Sequence, residues 1–74
     1  MLRVLLCRGA ATIFEGPAVS VVLPSEESEV SVFDFHAPLL CALEAGDVQI
    51  DEAKFAVRGG IARVFKNAVT ILVP

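Results

Sequence analysis

The sequence lacks tryptophan and tyrosine, and its 74 residues include one histidine, one methionine and two cysteines. Two cysteines, Cys7 and Cys41, are too few for the disulfide framework of a small secreted domain. We therefore expect both to be reduced and to be small buried apolar residues, in a cytoplasmic setting. Only six residues are Lys or Arg, and they are scattered, so no basic face for nucleic acid can be assembled. A net charge of −3 points the same way.

Long uncharged runs are also missing. The longest, residues 16–25 and 35–43, are about ten residues each, whereas a membrane-spanning helix needs roughly 20. The amino-terminal segment, residues 1–11, has an apolar core of only a few residues and then Arg8. We therefore expect no secretory leader there.

What the chain has in excess is apolar side chains. Hydrophobic residues make up 55% of the sequence, and the mean hydropathy is +0.72. We expect residues 1–74 to form one domain, and a domain of this size buries only roughly 60% of the surface of its unfolded chain. Some of these apolar side chains should therefore face a partner.

Apolar and polar residues alternate with a period of two along most of the chain, and no segment sustains a helical period. This pattern predicts an all-β fold, a small antiparallel β-sandwich or flattened barrel of about eight to ten short strands. The predicted breaks are Gly16-Pro17, Pro24, the segment Glu44 to Asp47, Gly59-Gly60 as a tight bend or bulge, and Lys66-Asn67. The last should be a two-residue hairpin turn, because Asn tolerates positive φ.

No arrangement of reactive groups predicts an enzyme. A thiol nucleophile at Cys41 with His36 as its base would need a third, orienting group, and none is marked. A zinc site from Cys7, His36 and Cys41 would lack the short paired spacing of such sites. The acidic pair Glu44 and Asp47 has no support for a catalytic role. We expect no metal and no cofactor.

The segment Ser25 to Glu29 carries three carboxylates, those of Glu26, Glu27 and Glu29. It lacks the Asp-rich, Gly-hinged ligand spacing of a calcium loop. Two interpretations remain for it, a solvated loop or a loop that binds a partner.

Several short motifs occur in the order found in one family. They are Phe14-Glu15-Gly16, Ser20 to Pro24, His36-Ala37-Pro38-Leu39-Leu40, Gly59-Gly60 with Val64, and Asn67 to Leu72. With them the chain resembles, nearly end to end, the N-terminal β-sandwich domain of the epsilon subunit of the rotary ATP synthase. The resemblance implies a non-catalytic rotor subunit of the central stalk, which helps couple proton flow to ATP synthesis.

The resemblance also implies partners. His36 and Pro38 would contact the gamma subunit, and Glu29 would contact the c-ring, with Glu26 and Glu27 as supporting charge. The complex would hold the chain peripherally on the cytoplasmic side of a bacterial inner membrane. The competing interpretation is a generic β-sandwich module that binds another protein or a small ligand.

Two departures from the family pattern carry expectations. The family usually has a Pro-Gly pair directly before its histidine, where this chain has Asp34 and Phe35. If that glycine has positive φ, a phenylalanine in its place would be strained, so we expect this loop to be rebuilt. Many members also continue into a C-terminal helical hairpin that inhibits ATP hydrolysis. This sequence stops at Pro74, so we expect coupling without inhibition by a hairpin.

Overall fold

The computed structural model describes residues 1–26 and 28–74, and these residues form seven strands in one hydrogen-bonded sheet. The strands are β1 (Leu2–Arg8), β2 (Ala11–Ala18), β3 (Val21–Pro24), β4 (Glu29–Val32), β5 (Leu39–Ile50), β6 (Ala53–Phe65) and β7 (Ala68–Val73). Their order across the sheet is β2-β1-β7-β6-β5-β3-β4. The all-β prediction is confirmed. The described part of the chain has no helix with the length and apolar character needed to cross a membrane.

The sheet curls over on itself, so strands that are not neighbours come into contact. Phe14 of β2 meets Phe55 of β6 edge to face, with ring centroids 6.0 Å apart. The Arg8 side chain of β1 donates a hydrogen bond of 2.9 Å to the Ala56 carbonyl, also in β6. The enclosed core is apolar throughout, and no described polar or charged side chain is buried. Alternating apolar residues therefore face one shared interior, as the period-two pattern predicted.

One strand pair departs from the antiparallel prediction. β1 and β7 run parallel, with Arg3 opposite Ala68 and Arg8 opposite Val73, while the other named pairs are antiparallel. Alternation in a sequence shows which face of a strand is buried, but it carries no information on which strands become neighbours. The first and last described strands are neighbours because β7 is placed between β1 and β6.

The described residues form fewer strands than the eight to ten expected, because two predicted breaks lie inside long strands. Segment 44–47 is not a turn: β5 pairs with β6 on both sides of it, Leu43 with Gly60 and Val48 with Phe55. Buried positions in β5 change from odd to even numbers along this segment, and those in β6 do the same across Gly59-Gly60. Gly59 and Gly60 have φ of 138° and 136°, which glycine alone adopts without strain. The paired strands β5 and β6, here called the β5–β6 ribbon, thus exchange their buried and exposed faces without a break in their pairing.

Two further breaks have different outcomes. Gly16-Pro17, expected to be a turn, lies inside β2, where Pro17 pairs with Arg3. β2 is an edge strand, and a sheet tolerates proline on an edge because the missing N–H leaves no partner strand unbonded. Lys66-Asn67 is the predicted two-residue turn between β6 and β7, and both residues have positive φ, 49° and 61°.

Candidate functional site

The first predicted contact region is the acidic hairpin, residues 25–29, which joins β3 to β4. Pro24 pairs with Glu29 at its base. The Ser25 N–H and hydroxyl both donate to the Ser28 carbonyl, at 3.2 and 2.7 Å. Glu26 and Glu29 are exposed, while Glu27 lies outside the described residues. β4 is an edge strand, so this hairpin presents its carboxylates to solvent, free to meet a cationic surface.

The second predicted region is the His36 loop, residues 33–38, which joins β4 to β5. The His36 N–H donates to the Phe33 carbonyl at 3.2 Å, and the imidazole Nδ1 lies 2.6 Å from the Ala37 carbonyl oxygen. His36 is half-buried, whereas Pro38 is exposed. The histidine thus braces the entry to β5, and the proline beside it is accessible to a partner.

The structure does not bring the two predicted regions together. The acidic hairpin precedes β4 and the His36 loop follows it, and β4 is four residues long. At a rise of roughly 3.4 Å per residue, the ends of such a strand lie about 10 Å apart. The two sets of side chains therefore face opposite ends of one edge strand. That arrangement suits two different contacts better than a single binding pocket.

Asn67 is a functional candidate that the sequence reasoning missed. Its side-chain Oδ1 accepts the Phe35 N–H at 2.7 Å, and its Nδ2 donates to Asp34 Oδ1 at 3.3 Å. The Met1 ammonium also lies 2.7 Å from Asp34 Oδ1. The sequence marks Asn67 only as a turn residue, and nothing local shows that a turn residue will hold a loop more than 30 positions away. The His36 loop is therefore held from outside by the β6–β7 turn.

Phe35 has a positive φ, so the expectation that the loop is rebuilt to avoid strain is not met at this position. Its φ is 63°, in the left-handed region where a bulky L-residue is an outlier. Its side chain is 90% exposed. The strain predicted for a phenylalanine at this position is present, and burial does not compensate for it.

The cysteines are half-buried rather than buried as expected, and they do not form a site with the histidine. Cys7 is in β1 and Cys41 in β5, three strand positions apart in the sheet order; at about 4.8 Å per step this is roughly 14 Å. Burial raises the pKa of the Cys41 thiol, which disfavours the nucleophilic thiolate. Among the described residues, no cluster of three metal-ligating side chains was found.

Two surface grooves bear on the ligand-binding alternative. One, of about 450 Å³, is lined by Arg8, Ala56, Val57, Arg58 and Pro74. The other, of about 380 Å³, lies between the acidic hairpin and the first residues of β5. Ligand sites are usually deep and apolar with a few convergent polar groups. The larger groove is flanked by two arginines, and the smaller one belongs to the acidic hairpin.

Comparison with known proteins identifies the family. A family model described as the ATP synthase delta/epsilon chain β-sandwich domain matches residues 1–74. The chain belongs to this family. The resemblance carried by the sequence motifs is therefore confirmed, and so is the β-sandwich fold. An epsilon chain is a non-catalytic subunit of ATP synthase, and the prediction of a non-enzymatic role rests on this family membership.

Curated relatives of this ATP synthase family share about two fifths of the aligned residues. The ATP synthase epsilon chain of a Cyanothece strain is 42% identical over 66 residues, covering 84% of this chain and 48% of the relative. That of Nostoc punctiforme is 43% identical over 68 residues, covering 84% and 50%. The chain thus spans about half the length of the curated relatives it matches.

Solved structures of ATP synthases contain the same fold. A chain of the Euglena gracilis mitochondrial ATP synthase, determined with OSCP, F1 and c-ring, aligns with a TM-score of 0.85 at 23% identity. The alignment covers 97% of this chain and 49% of that one. A chain of the Tetrahymena thermophila mitochondrial enzyme, from its central stalk and c-ring, aligns with a TM-score of 0.78 at 18% identity, covering 97% and 62%. At these identities, the likeness shows the fold alone.

Proposed function

We propose that this chain is the β-sandwich part of an epsilon-type subunit in the central stalk of a rotary, proton-translocating ATP synthase. In this proposal residues 1–74 act as one domain that binds the gamma subunit and contacts the c-ring. It thereby helps couple proton flow to ATP synthesis. The complex holds it peripherally on the cytoplasmic side of a bacterial inner membrane.

One observation carries the proposal: the acidic hairpin and the His36 loop lie at opposite ends of β4. A rotor domain between a membrane-embedded ring and a stalk subunit needs two contact regions that face different ways. In this assignment Glu29, supported by Glu26 and Glu27, faces the c-ring. His36 and Pro38 lie toward gamma.

Opposite charge would contribute more to the orientation and encounter rate of the c-ring contact than to its affinity. Exposed ion pairs contribute roughly 0–1 kcal/mol each, and salt screens them. Electrostatic complementarity between surfaces mainly sets orientation and the rate of encounter. The acidic hairpin thus determines which end of the domain meets the ring, while apolar contacts with gamma supply most of the affinity.

A cysteine cross-link tests the orientation. Cys7 and Cys41 are first replaced by alanine, and a cysteine then replaces Glu29 or, as a matched control, Glu52. Both glutamates are exposed. Glu52, however, follows Ile50, which pairs with Val21 at the far end of β4 from Glu29. We expect a cross-link to the polar loop of the c-ring from position 29 and none from position 52. The reverse result would show that the domain is turned around.

Substitution of the charge itself gives a second readout of the c-ring contact. Glu29→Gln should weaken assembly only mildly, by about threefold or less, and should make assembly less sensitive to salt. Co-purification from source membranes measures this and tests the wider proposal. A chain that brings down neither gamma nor the c-ring would contradict it.

A further inference from the structure

An aromatic–basic surface extends from the His36 loop onto the outer face of β5 and β6. It comprises Phe33, Phe35, Leu40, Arg63, Phe65 and Lys66. Its four apolar side chains are 56%, 90%, 68% and 43% exposed, in the order Phe33, Phe35, Leu40, Phe65. Large apolar side chains grouped on one surface indicate an interaction site more strongly than the same residues scattered singly.

Contacts along the surface show that its parts are neighbours. The Phe35 N–H is held by the side chain of Asn67, which directly follows Lys66. The Lys66 and Arg63 cations lie over the Phe65 ring, 5.5 and 5.2 Å from its centroid. In addition, Arg63 pairs across the strands with Leu40. The loop therefore lies beside the β6–β7 turn, and Leu40 lies beside Arg63 on the adjacent strand.

Phe35 is the anomaly within this patch. It has positive φ and is the most exposed of the large hydrophobic side chains, so neither the backbone nor the core favours phenylalanine there. Glycine or asparagine would adopt the same φ with less strain. Hydrogen bonds from its own N–H and from the next N–H fix the strained backbone. A strained residue held this firmly suggests a role outside the folding of the chain.

The patch is positively charged, although the chain as a whole carries −3. Among the described residues, neither Arg63 nor Lys66 forms an ion pair, and Asp34, the acidic group in the adjoining loop, is contacted by the Met1 ammonium. Both cations are placed over an aromatic ring, where they remain able to bind an anion. Charge complementarity therefore favours a partner with carboxylates on the facing surface.

We propose that the aromatic–basic surface is the docking site for the gamma subunit, with Phe35 as its anchor. The partner surface would carry an apolar pocket for Phe35, rimmed by carboxylates opposite Arg63 and Lys66. This inference rests on the proposed function and deepens it, because it assigns the gamma contact to residues beyond His36 and Pro38. Aromatic and arginine side chains at the centre of an interface commonly carry most of its binding energy.

The decisive variant is Phe35→Gly, since its effects on stability and on binding should have opposite signs. Removing the side chain relieves the backbone strain, so the melting temperature of the isolated chain should stay the same or rise. The Kd for purified gamma should rise by about tenfold or more, as for the loss of an interface anchor. Val19→Ala, at an exposed apolar site outside the patch, serves as the control and should leave the Kd unchanged.

Arg63→Gln tests the charged part separately. It should weaken gamma binding by several-fold at low salt and by less at high salt, because a screened interaction has been removed. Calorimetry or biolayer interferometry at two salt concentrations measures both effects. An equal loss at both concentrations would overturn the assignment of Arg63 to a carboxylate.

The outcomes distinguish this inference from the proposed function. If the unmodified chain does not bind gamma, the proposed function fails. If it binds and Phe35→Gly binds equally well, the docking site is wrong while the function stands. Lower thermal stability of Phe35→Gly would overturn the anchor assignment, because the residue would then have a structural role. Loss of a homodimer in sedimentation, with gamma binding unchanged, would assign the patch to a second copy of the chain.

Discussion

At the scale of single residues, Asp51 shows how one carboxylate can hold together two loops, the β5–β6 turn and the link between β2 and β3. Its Oδ1 accepts the N–H groups of Val19 and Ser20 at 2.9 and 3.0 Å, and its own N–H donates to the Ser20 carbonyl. Asp51 has a φ of 52°, which aspartate tolerates better than most residues. The β5–β6 turn therefore holds the link between β2 and β3, so that a surface acid contributes to the fold.

We predict that Asp51→Ala lowers the free energy of unfolding by about 2 kcal/mol, because two backbone donors lose a charged acceptor. Asp51→Asn should lower the free energy of unfolding by less than Asp51→Ala, since its amide oxygen can accept in the same place. Glu52→Ala, one residue along the same turn, should change the free energy by no more than about 0.5 kcal/mol. Urea denaturation followed by circular dichroism measures all three. Equal losses at 51 and 52 would contradict this role for Asp51.

Sequence reasoning at this scale succeeded where the cause was local. The positive φ of Asn67 followed from its place in a two-residue turn, whereas the expected rebuilding of the loop did not remove the positive φ of Phe35. What the sequence could not supply was the hydrogen bond between those two residues. That contact depends on how β6 and β7 are placed against the loop, which is a property of the whole sheet.

At the scale of elements, the β5–β6 ribbon accounts for most of the difference between predicted and observed strands. Its glycines suggested strand ends, yet the register with which β5 pairs β6 is the same before and after Gly59. A ribbon that turns its buried face over requires unusual backbone angles, and glycine supplies them. The sequence marked the right positions, but glycine occurs both where a strand ends and where a continuous strand twists.

We predict that Gly60→Ala is far more damaging than Gly9→Ala, although both glycines have positive φ. A Cβ at position 60 would clash with the Leu72 carbonyl oxygen, while at position 9 nothing lies within 4 Å. Gly9→Ala should therefore lower the free energy of unfolding by about 1 kcal/mol, the cost of the backbone angle alone. Gly60→Ala should add the steric conflict with β7 and exceed roughly 3 kcal/mol.

Thermal melts of the two glycine variants check this difference. A melting temperature for Gly60→Ala equal to that of Gly9→Ala would mean that β6 and β7 can separate there without loss. In that case the turnover of the ribbon would not depend on close approach of the two strands.

At the scale of the whole molecule, the excess of apolar side chains is divided between an apolar core and the surface. The core takes side chains from all seven described strands, and several large apolar side chains remain exposed. The composition predicted such a remainder, because a chain of this length cannot enclose it. Its location could not be predicted, since it depends on strand order and on the curl of the sheet.

We predict that gamma stabilises the chain by mass action. A partner that binds only the folded state at about 100 times its Kd raises the free energy of unfolding by about 2.7 kcal/mol. The melting temperature should therefore rise with gamma concentration, and light scattering from the isolated chain should fall as its apolar patch is covered. Serum albumin at equal mass serves as the control. A melting temperature that is independent of gamma would count against the rotor assignment.

The place of β7 between β1 and β6 determines when, during synthesis on the ribosome, the fold can close. In the sheet order, β7 alone connects the β1–β2 hairpin to the other strands, and it is the last of the described strands to be synthesised. Until then, Leu2, Val4 and Leu6 have a partner strand on one side only. The nascent protein is thus an open hairpin beside an unfinished sheet of β3 to β6, and its fold closes only when β7 has left the exit tunnel.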